Sequence, residues 1–316
     1  MSQYRFLQLD VFTDHAFSGN PLAVFPEAEG LSDEVMLKIA REMNLSETVF
    51  VLESDNAEVL RRLRIFTPTR EIPFAGHPVV GTWNALAREG VVPLPGGGNG
   101  WQRIHHEVGI GVLPVEIEFK DGQPVQVVMT QDKFEILEDV EDGHEQAEIA
   151  RALGLAREDL DESLPIQVIS TGLSCMAVPI RSLADLRSCR VNAALLAEIY
   201  TRRGATGCHA FTRETIEIGL SRAHARFFAP ADNIAEDPAT GSACGALGGY
   251  LVHHGALSLD PDYDGRYRFV IEQGDFIHRP SRINLNINGA PNAVEEVKVG
   301  GPSVLVARGE VVFNHG

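Results

Sequence analysis

Apolar and polar positions along the chain set out one series of elements twice. Apolar residues recur through Phe6-Leu7-Gln8-Leu9-Asp10-Val11-Phe12 and stop at Ser18-Gly19-Asn20. They resume at Leu22-Ala23-Val24-Phe25, which predicts strand, turn, strand. Ile166-Gln167-Val168-Ile169-Ser170, a turn at Gly172 and Met176-Ala177-Val178-Pro179-Ile180 predict the same unit in the second half. A helix follows each time. The first runs from Ser32 to Met43, with Ser32 as cap and Asp33 and Glu34 in the first turn. The second covers about Leu183 to Tyr200. A strand comes next in both halves, Glu47-Thr48-Val49-Phe50-Val51 and Cys208-His209-Ala210-Phe211-Thr212.

Each half then carries the same loop. Ile65-Phe66-Thr67-Pro68 leads to Pro73-Phe74-Ala75-Gly76-His77-Pro78 and a helical run through Val79, Val80, Trp83 and Leu86. Phe227-Phe228-Ala229-Pro230 leads to Asp237-Pro238-Ala239-Thr240-Gly241-Ser242-Ala243 and a run through Cys244, Leu247, Tyr250 and Leu251. A helix that opens this way presents unpaired backbone N–H groups and the positive end of its dipole, a cradle for an anion. Between the halves, His105 to Phe119 and Val125 to Met129 read as strands. The acidic segment Glu135 to Glu148 reads as an exposed connection into a helix near Ile149 to Leu153. Val304 to Ala307 and Gly309 to Phe313 read as a terminal hairpin.

Composition narrows the class. A chain of 316 residues, 44% apolar and 22% charged, suits about two ordinary globular domains. No run approaches the ~20 apolar residues of a membrane span, and Met1-Ser2-Gln3-Tyr4-Arg5-Phe6 enters a strand directly, so no signal peptide is expected. Four scattered cysteines (Cys175, Cys189, Cys208, Cys244) without a CxxC fit reduced thiols and a cytoplasmic location. A formal charge of −17 argues against nucleic acid or an anionic membrane as partner. An acidic ligand must then be captured by local features, and helix starts are such features.

Few side chains qualify for chemistry. Alternation places Leu45, Glu47, Val49 and Val51 on one strand face. A carboxylate there either loses hydration, which raises its pKa toward acid/base use, or reaches solvent at the strand end. His77, between Gly76 and Pro78 at a helix start, is either structural or a neutral hydrogen-bonding group in a site. Asp237 and Ser242 are either helix caps or ligand-binding groups. His105 and His106 point to opposite faces of a strand, and there is no HExxH or Cys/His spacing, so no metal is expected. Gly96-Gly97-Gly98-Asn99-Gly100 lacks the GK[ST] ending of a phosphate loop. Cys244 lies in a first helical turn, where a thiol can be activated, but the first half has no matching cysteine.

At these residues the chain resembles the PhzF family of phenazine-biosynthesis isomerases, within the diaminopimelate epimerase-like fold. The segments that carry the resemblance are Leu9-Asp10-Val11-Phe12, Phe17-Ser18-Gly19-Asn20-Pro21-Leu22-Ala23-Val24, Asn44-Leu45-Ser46-Glu47-Thr48, Phe74-Ala75-Gly76-His77-Pro78 and Phe228-Ala229-Pro230. The longest is Glu236-Asp237-Pro238-Ala239-Thr240-Gly241-Ser242-Ala243, with Glu272-Gln273-Gly274 and Arg279-Pro280-Ser281 further on.

The resemblance implies an α+β protein of two pseudo-repeated domains, each a mixed sheet or barrel around a central helix, with the site in the cleft between them. Residues 1–127 plus 303–316 would form one domain and 128–302 the other. It implies Glu47 as acid/base, and Gly76, His77, Asp237, Gly241 and Ser242 as residues that bind a small carboxylic acid. It also implies a homodimer. Racemase relatives carry a cysteine at each helix start, where this chain has Ala75 and Thr240. That departure favours a cofactor-free isomerase with a single carboxylate. An amino-acid racemase using other groups, and a non-catalytic small-acid binding protein, remain as alternatives.

Overall fold

The computed structural model describes residues 1–314. It divides into two compact units, Met1–Met129 with the chain from Gly300 onward, and Thr130–Val299. In the first unit β1 (Ser2–Val11) and β2 (Asn20–Phe25) precede α1 (Asp33–Met43) and β3 (Glu47–Leu52). Then come β4 (Arg61–Phe66), β5 (Glu71–Ile72), α2 (Gly76–Arg88), β6 (Gly100–Val108), β7 (Gly111–Lys120) and β8 (Gln123–Thr130). The second unit opens with β9 (Glu135–Asp139), α3 (Gly143–Ala152), β10 (Gln167–Ser170) and β11 (Ser174–Pro179). It continues through α4 (Leu183–Ser188), α5 (Ala193–Arg202), β12 (Cys208–Thr212), β13 (Ser221–Ala229), β14 (Ile234–Asp237) and α6 (Gly241–His253). The strands β15 (Arg266–Gln273), β16 (Ser281–Ala290) and β17 (Ala293–Gly301) lead to β18 (Ser303–Phe313), which returns to the first unit.

The pairing of strands is the same in both units. β1–β2 is antiparallel, β2–β3 parallel, β3–β4 and β4–β5 antiparallel, β4–β6 parallel and β6–β7 antiparallel. β10–β11, β11–β12, β12–β13, β13–β14, β13–β15 and β15–β16 repeat that series of directions. Even the outer partner matches, since β18 lies antiparallel on β1 and β9 antiparallel on β10. The duplication read from the apolar pattern is therefore a duplication of topology.

Each unit has one helix on the inside of its sheet. Twelve of the thirteen residues of α2 are buried, and eleven of the thirteen of α6. A helix that is apolar all round belongs inside a core. Small residues let strands close on it. A Cβ on Gly81 would lie 2.6 Å from Leu22 and Val11 side-chain atoms, and one on Gly248 would lie 2.4 Å from Leu285 Cδ1. The other sheet face is covered by amphipathic helices. In the first unit, Met36, Ile39 and Ala40 of α1 join Phe25, Phe50 and Phe66. In the second, Ile149, Leu186, Leu196 and Ile199 cover Val168, Val178 and Phe228. Strands such as β3 are consequently buried on both faces, so alternation alone does not separate core from solvent there.

Four segments differ from the sequence reading. The stretch 105–119 is a hairpin, β6 and β7 paired antiparallel and turning at Val108–Gly111. Gly111 takes φ +124°, and a Cβ on Gly109 would meet the Pro73 backbone at 2.6 Å, so glycines make the turn that the apolar run hides. Glu135–Asp139 is a strand with exposed Glu135, Leu137 and Asp139 and half-buried Ile136 and Glu138, paired with β10, and α3 starts at Gly143 behind Asp142. The helix expected from Leu183 to Tyr200 is interrupted between Ser188 and Ala193, and Asn192 caps the second piece through Leu195 N. The terminal hairpin is one strand, β18. Its Gly309 lies against the Phe6 ring on β1 rather than in a turn.

Candidate active site

Glu47 is the first residue of β3, set there by an abrupt end to α1. Asn44, in the left-handed region at φ +51°, closes that helix, and three residues later the strand begins. Phe50 points into the cluster beneath α1, so alternation turns Val49 and Glu47 to the opposite face, toward α2. His77 is the second residue of α2. Its Nε2 lies 3.3 Å from Glu47 Oε2, with side-chain exposures of 7% and 14%. Burial pushes the Glu47 carboxyl up to about 7, against a smaller opposing effect of the neighbouring Ser46 side chain. Of the two readings left open for Glu47, the desolvated carboxylate is the one found.

Behind His77 stands Asn20, the first residue of β2 and 1% exposed. Its Nδ2 is 3.4 Å from His77 Nδ1, and its Oδ1 is 3.4 Å from the Ser46 hydroxyl. The loop before Asn20 is costly to form. Phe12 and Phe17 adopt φ of +63° and +68°, a region bulky side chains seldom enter. Asp10 Oδ2 accepts from Phe17 N at 2.6 Å and holds this bend. Gly19, at φ +64°, passes so close to Val11 that a Cβ would sit 2.3 Å from its carbonyl oxygen.

α2 begins at Gly76 after Ala75, an N-cap with no side-chain hydrogen bond. α6 begins at Gly241 after Thr240, again without a side-chain cap. Both helices thus open with first-turn amides that the cap residue does not satisfy. Asp237 does not cap α6. It ends β14, is 8% exposed, and its Oδ2 accepts from Thr240 Oγ1 at 2.5 Å. Ser242 is the second residue of α6.

The loop into α6 is bolted from two sides. Gln273 donates to Asp237 O at 2.7 Å and to Thr240 Oγ1 at 3.1 Å. Thr171 donates to Gln131 Oε1 and to Ser242 O, and Gln131 Nε2 donates to Gly241 O at 3.3 Å. Cys244 donates to Gln273 Oε1 at 3.4 Å, and burial raises its pKa well above the ordinary thiol value, so it is not an activated nucleophile. Among the described residues no group of three or more His, Cys, Asp or Glu side chains is arranged to hold a metal ion.

Within the first unit the structure brings together Glu47, Gly76 and His77. Within the second it gathers Asp237, Gly241 and Ser242. Asn20, Ser46, Gln131, Thr171 and Gln273 were not singled out as site residues. Asn20 and Gln273 do stand inside segments that carry the family resemblance, where a buried amide next to a glycine that a turn requires (Gly19, Gly274) is a usable signal.

The chain is similar to known proteins along nearly its whole length. Residues 9–309 match the family described as phenazine biosynthesis-like protein. An uncharacterized isomerase of Clostridium acetobutylicum is 36% identical over 99% of both chains. The trans-2,3-dihydro-3-hydroxyanthranilate isomerase of Pseudomonas aeruginosa is 34% identical over 97% of this chain and 98% of its own. Among solved structures, a Bacillus anthracis phenazine biosynthesis protein of the PhzF family superposes with a TM-score of 0.84 at 29% identity, covering 99% of this chain and 100% of that one. A hydroxyproline epimerase from Agrobacterium vitis shares the fold, at TM-score 0.62 and 14% identity over 98% and 91% of the two chains. The protein is thus an isomerase on an epimerase-like fold. It belongs to the phenazine biosynthesis-like, or PhzF, family.

Proposed function

We propose that this isomerase moves a proton within a small cyclic or unsaturated carboxylic acid, of the trans-2,3-dihydro-3-hydroxyanthranilate kind, with Glu47 as its single acid/base. The observation that carries the reading is a carboxyl group with a pKa near neutrality, 3.3 Å from an imidazole. A group that must first take a proton and then return it works best when its pKa lies near the working pH. In this mechanism the Glu47 carboxylate removes a proton from an activated carbon. The electron pair shifts along the unsaturated system, and the neutral carboxyl returns the proton to another carbon on the same face. No cofactor takes part, because the proton goes to and from one side chain. We assign substrate binding to Gly76 and His77 and to Asp237, Gly241 and Ser242, with helix-start amides holding the substrate carboxylate and stabilising developing negative charge.

The duplicated topology supports a single base. Thr48 pairs with Phe66 as Cys208 pairs with Phe228, so the counterpart of Glu47 is Gly207. A Cβ there would lie 2.4 Å from the Phe227 ring. Ala75 and Thr240 occupy the two helix N-caps, so neither cap position offers a thiol.

The test is NMR of trans-2,3-dihydro-3-hydroxyanthranilate with the enzyme in D2O. The wild type should isomerise it and exchange the migrating hydrogen with solvent. Glu47→Gln should slow both by about 10²-fold or more with binding retained. Exchange at the wild-type rate in Glu47→Gln removes Glu47 from the chemistry. Inactivity on this acid together with inversion of an amino acid α-carbon establishes a racemase instead.

A further inference from the structure

We propose that Asn20 is a positioning residue that fixes the tautomer of His77, and through it decides which oxygen of Glu47 carries the migrating proton. The inference rests on the reading of Glu47 as the acid/base. Asn20 Oδ1 faces the Ser46 hydroxyl at 3.4 Å, a group that donates to it. With the amide oriented that way, the atom facing His77 Nδ1 at 3.4 Å is Nδ2, which has protons and no lone pair to offer. His77 Nδ1 must then be the accepting nitrogen, and the ring proton sits on Nε2. Nε2 is the atom that faces Glu47 Oε2 at 3.3 Å.

The consequence for Glu47 is specific. Nε2–H faces Oε2 at 3.3 Å, out of line for a hydrogen bond in the resting structure, and its positive end disfavours a proton on that oxygen, so the proton taken from substrate resides on Oε1. The same arrangement disfavours an imidazolium, because Nδ1–H would point at an amide N–H. A neutral His77 leaves the carboxyl group weakly acidic enough to give the proton back, whereas a cation at 3.3 Å would hold it as carboxylate. The surroundings explain why an asparagine stands here. Gly19 and the Asp10-clamped loop deliver residue 20 to a site that is 1% exposed, where an unmatched amide would be expensive.

The experiment is ¹⁵N NMR of protein labelled in its histidine rings, with His77 assigned by its loss in His77→Asn. In wild-type protein His77 should show a pyridine-like Nδ1 and a pyrrole-like Nε2 at pH 8. The opposite pattern, or an imidazolium, overturns the proposal without the need for any variant. Asn20→Asp replaces the donor by an acceptor of the same shape and should convert His77 to an imidazolium. Its kcat should fall at least about tenfold, the cost of moving a proton-transfer group roughly one unit from its optimum, while KM stays near wild type. Asn20→Asp with a neutral His77 and unchanged kcat also overturns it. If Asn20→Asp does not fold, Asn20→Ser serves. It should mix the two neutral tautomers, and retention of the single wild-type pattern counts against Asn20. These results are separable from those on Glu47. An inert Glu47 sinks the catalytic reading whatever the tautomer, and a wrong tautomer sinks only the role of Asn20.

Discussion

Replacing Glu47 by glutamine should make the protein more stable, and more so as the pH rises. The folded carboxyl has a pKa of about 7 against 4.5 for the side chain in the unfolded chain, because burial penalises its charged form. A pKa raised in the folded state means stability is intact below 4.5 and is lost as the pH climbs through 7, since the unfolded chain releases this proton first. At about 1.4 kcal/mol per unit, the full loss is ~3 kcal/mol above pH 8 and under ~1 kcal/mol at pH 5. Glutamine keeps the shape without the charge, and a mismatch of its amide with His77 offsets about 1 kcal/mol of the gain. The variant should then be stabilised by about 2 kcal/mol at pH 8.5 relative to wild type, and by little or nothing at pH 5.

Urea unfolding followed by tryptophan fluorescence reads this in the right place. Both tryptophans, Trp83 in α2 and Trp101 in β6, belong to the unit that contains Glu47. With an m-value of about 2 kcal/mol per molar, the midpoint should move up by roughly 1 M at pH 8.5. A variant equally stable or less stable at pH 8.5 would show that Glu47 is not held against its own ionisation, and the acid/base assignment would lose its physical basis.

Acid should act through two other groups. His106 and His209 are pushed down to about 4 by burial, so the unfolded chain takes up their protons first as the pH falls from 6.5 to 4, and each removes up to ~3 kcal/mol of stability over that window. His106→Gln should flatten the loss in the tryptophan-monitored transition, and an unchanged pH slope would contradict this. Gly248→Ala should lower the melting temperature despite a helix-propensity gain of about 1 kcal/mol, because its methyl group would sit 2.4 Å from Leu285 Cδ1 and 2.8 Å from Ile287 Cδ1 and overpacking costs about 1–3 kcal/mol. A melting temperature at or above wild type would mean the helix and strand part at no cost.

What could be read from the chain was whatever local chemistry announces. α1 was legible from Ser32 to Met43, because its cap, acidic first turn and amphipathic spacing all agree. The helix starts at Gly76 and Gly241 were legible because Pro and Gly punctuate them twice. Glu135–Asp139 was not, because an acidic edge strand has the composition of a loop, and only its pairing with β10 makes it a strand. β18 is hidden for a related reason. Gly309 normally marks a turn, and only the Phe6 ring on a strand some three hundred residues away explains it. At the site, Glu47 stood out as a charge among apolar residues. Asn20 did not, since its role depends on a ring that lies 57 residues further along the chain.

The pairing of β18 with β1 has a consequence for how the molecule is made. The second unit is one unbroken stretch of chain, complete once residue 299 has left the ribosome. The first unit begins earlier and finishes later, since β1 waits for a partner that lies beyond the whole second unit. Ten residues of β1 therefore emerge with an open edge, and open edges invite pairing with other nascent chains. Charged Arg5 and polar Gln3 and Gln8 on that strand read as guards for the interval. Moving residues 300–314 ahead of Met1 through a short linker would let the first unit close during translation, at the expense of a new junction after residue 299.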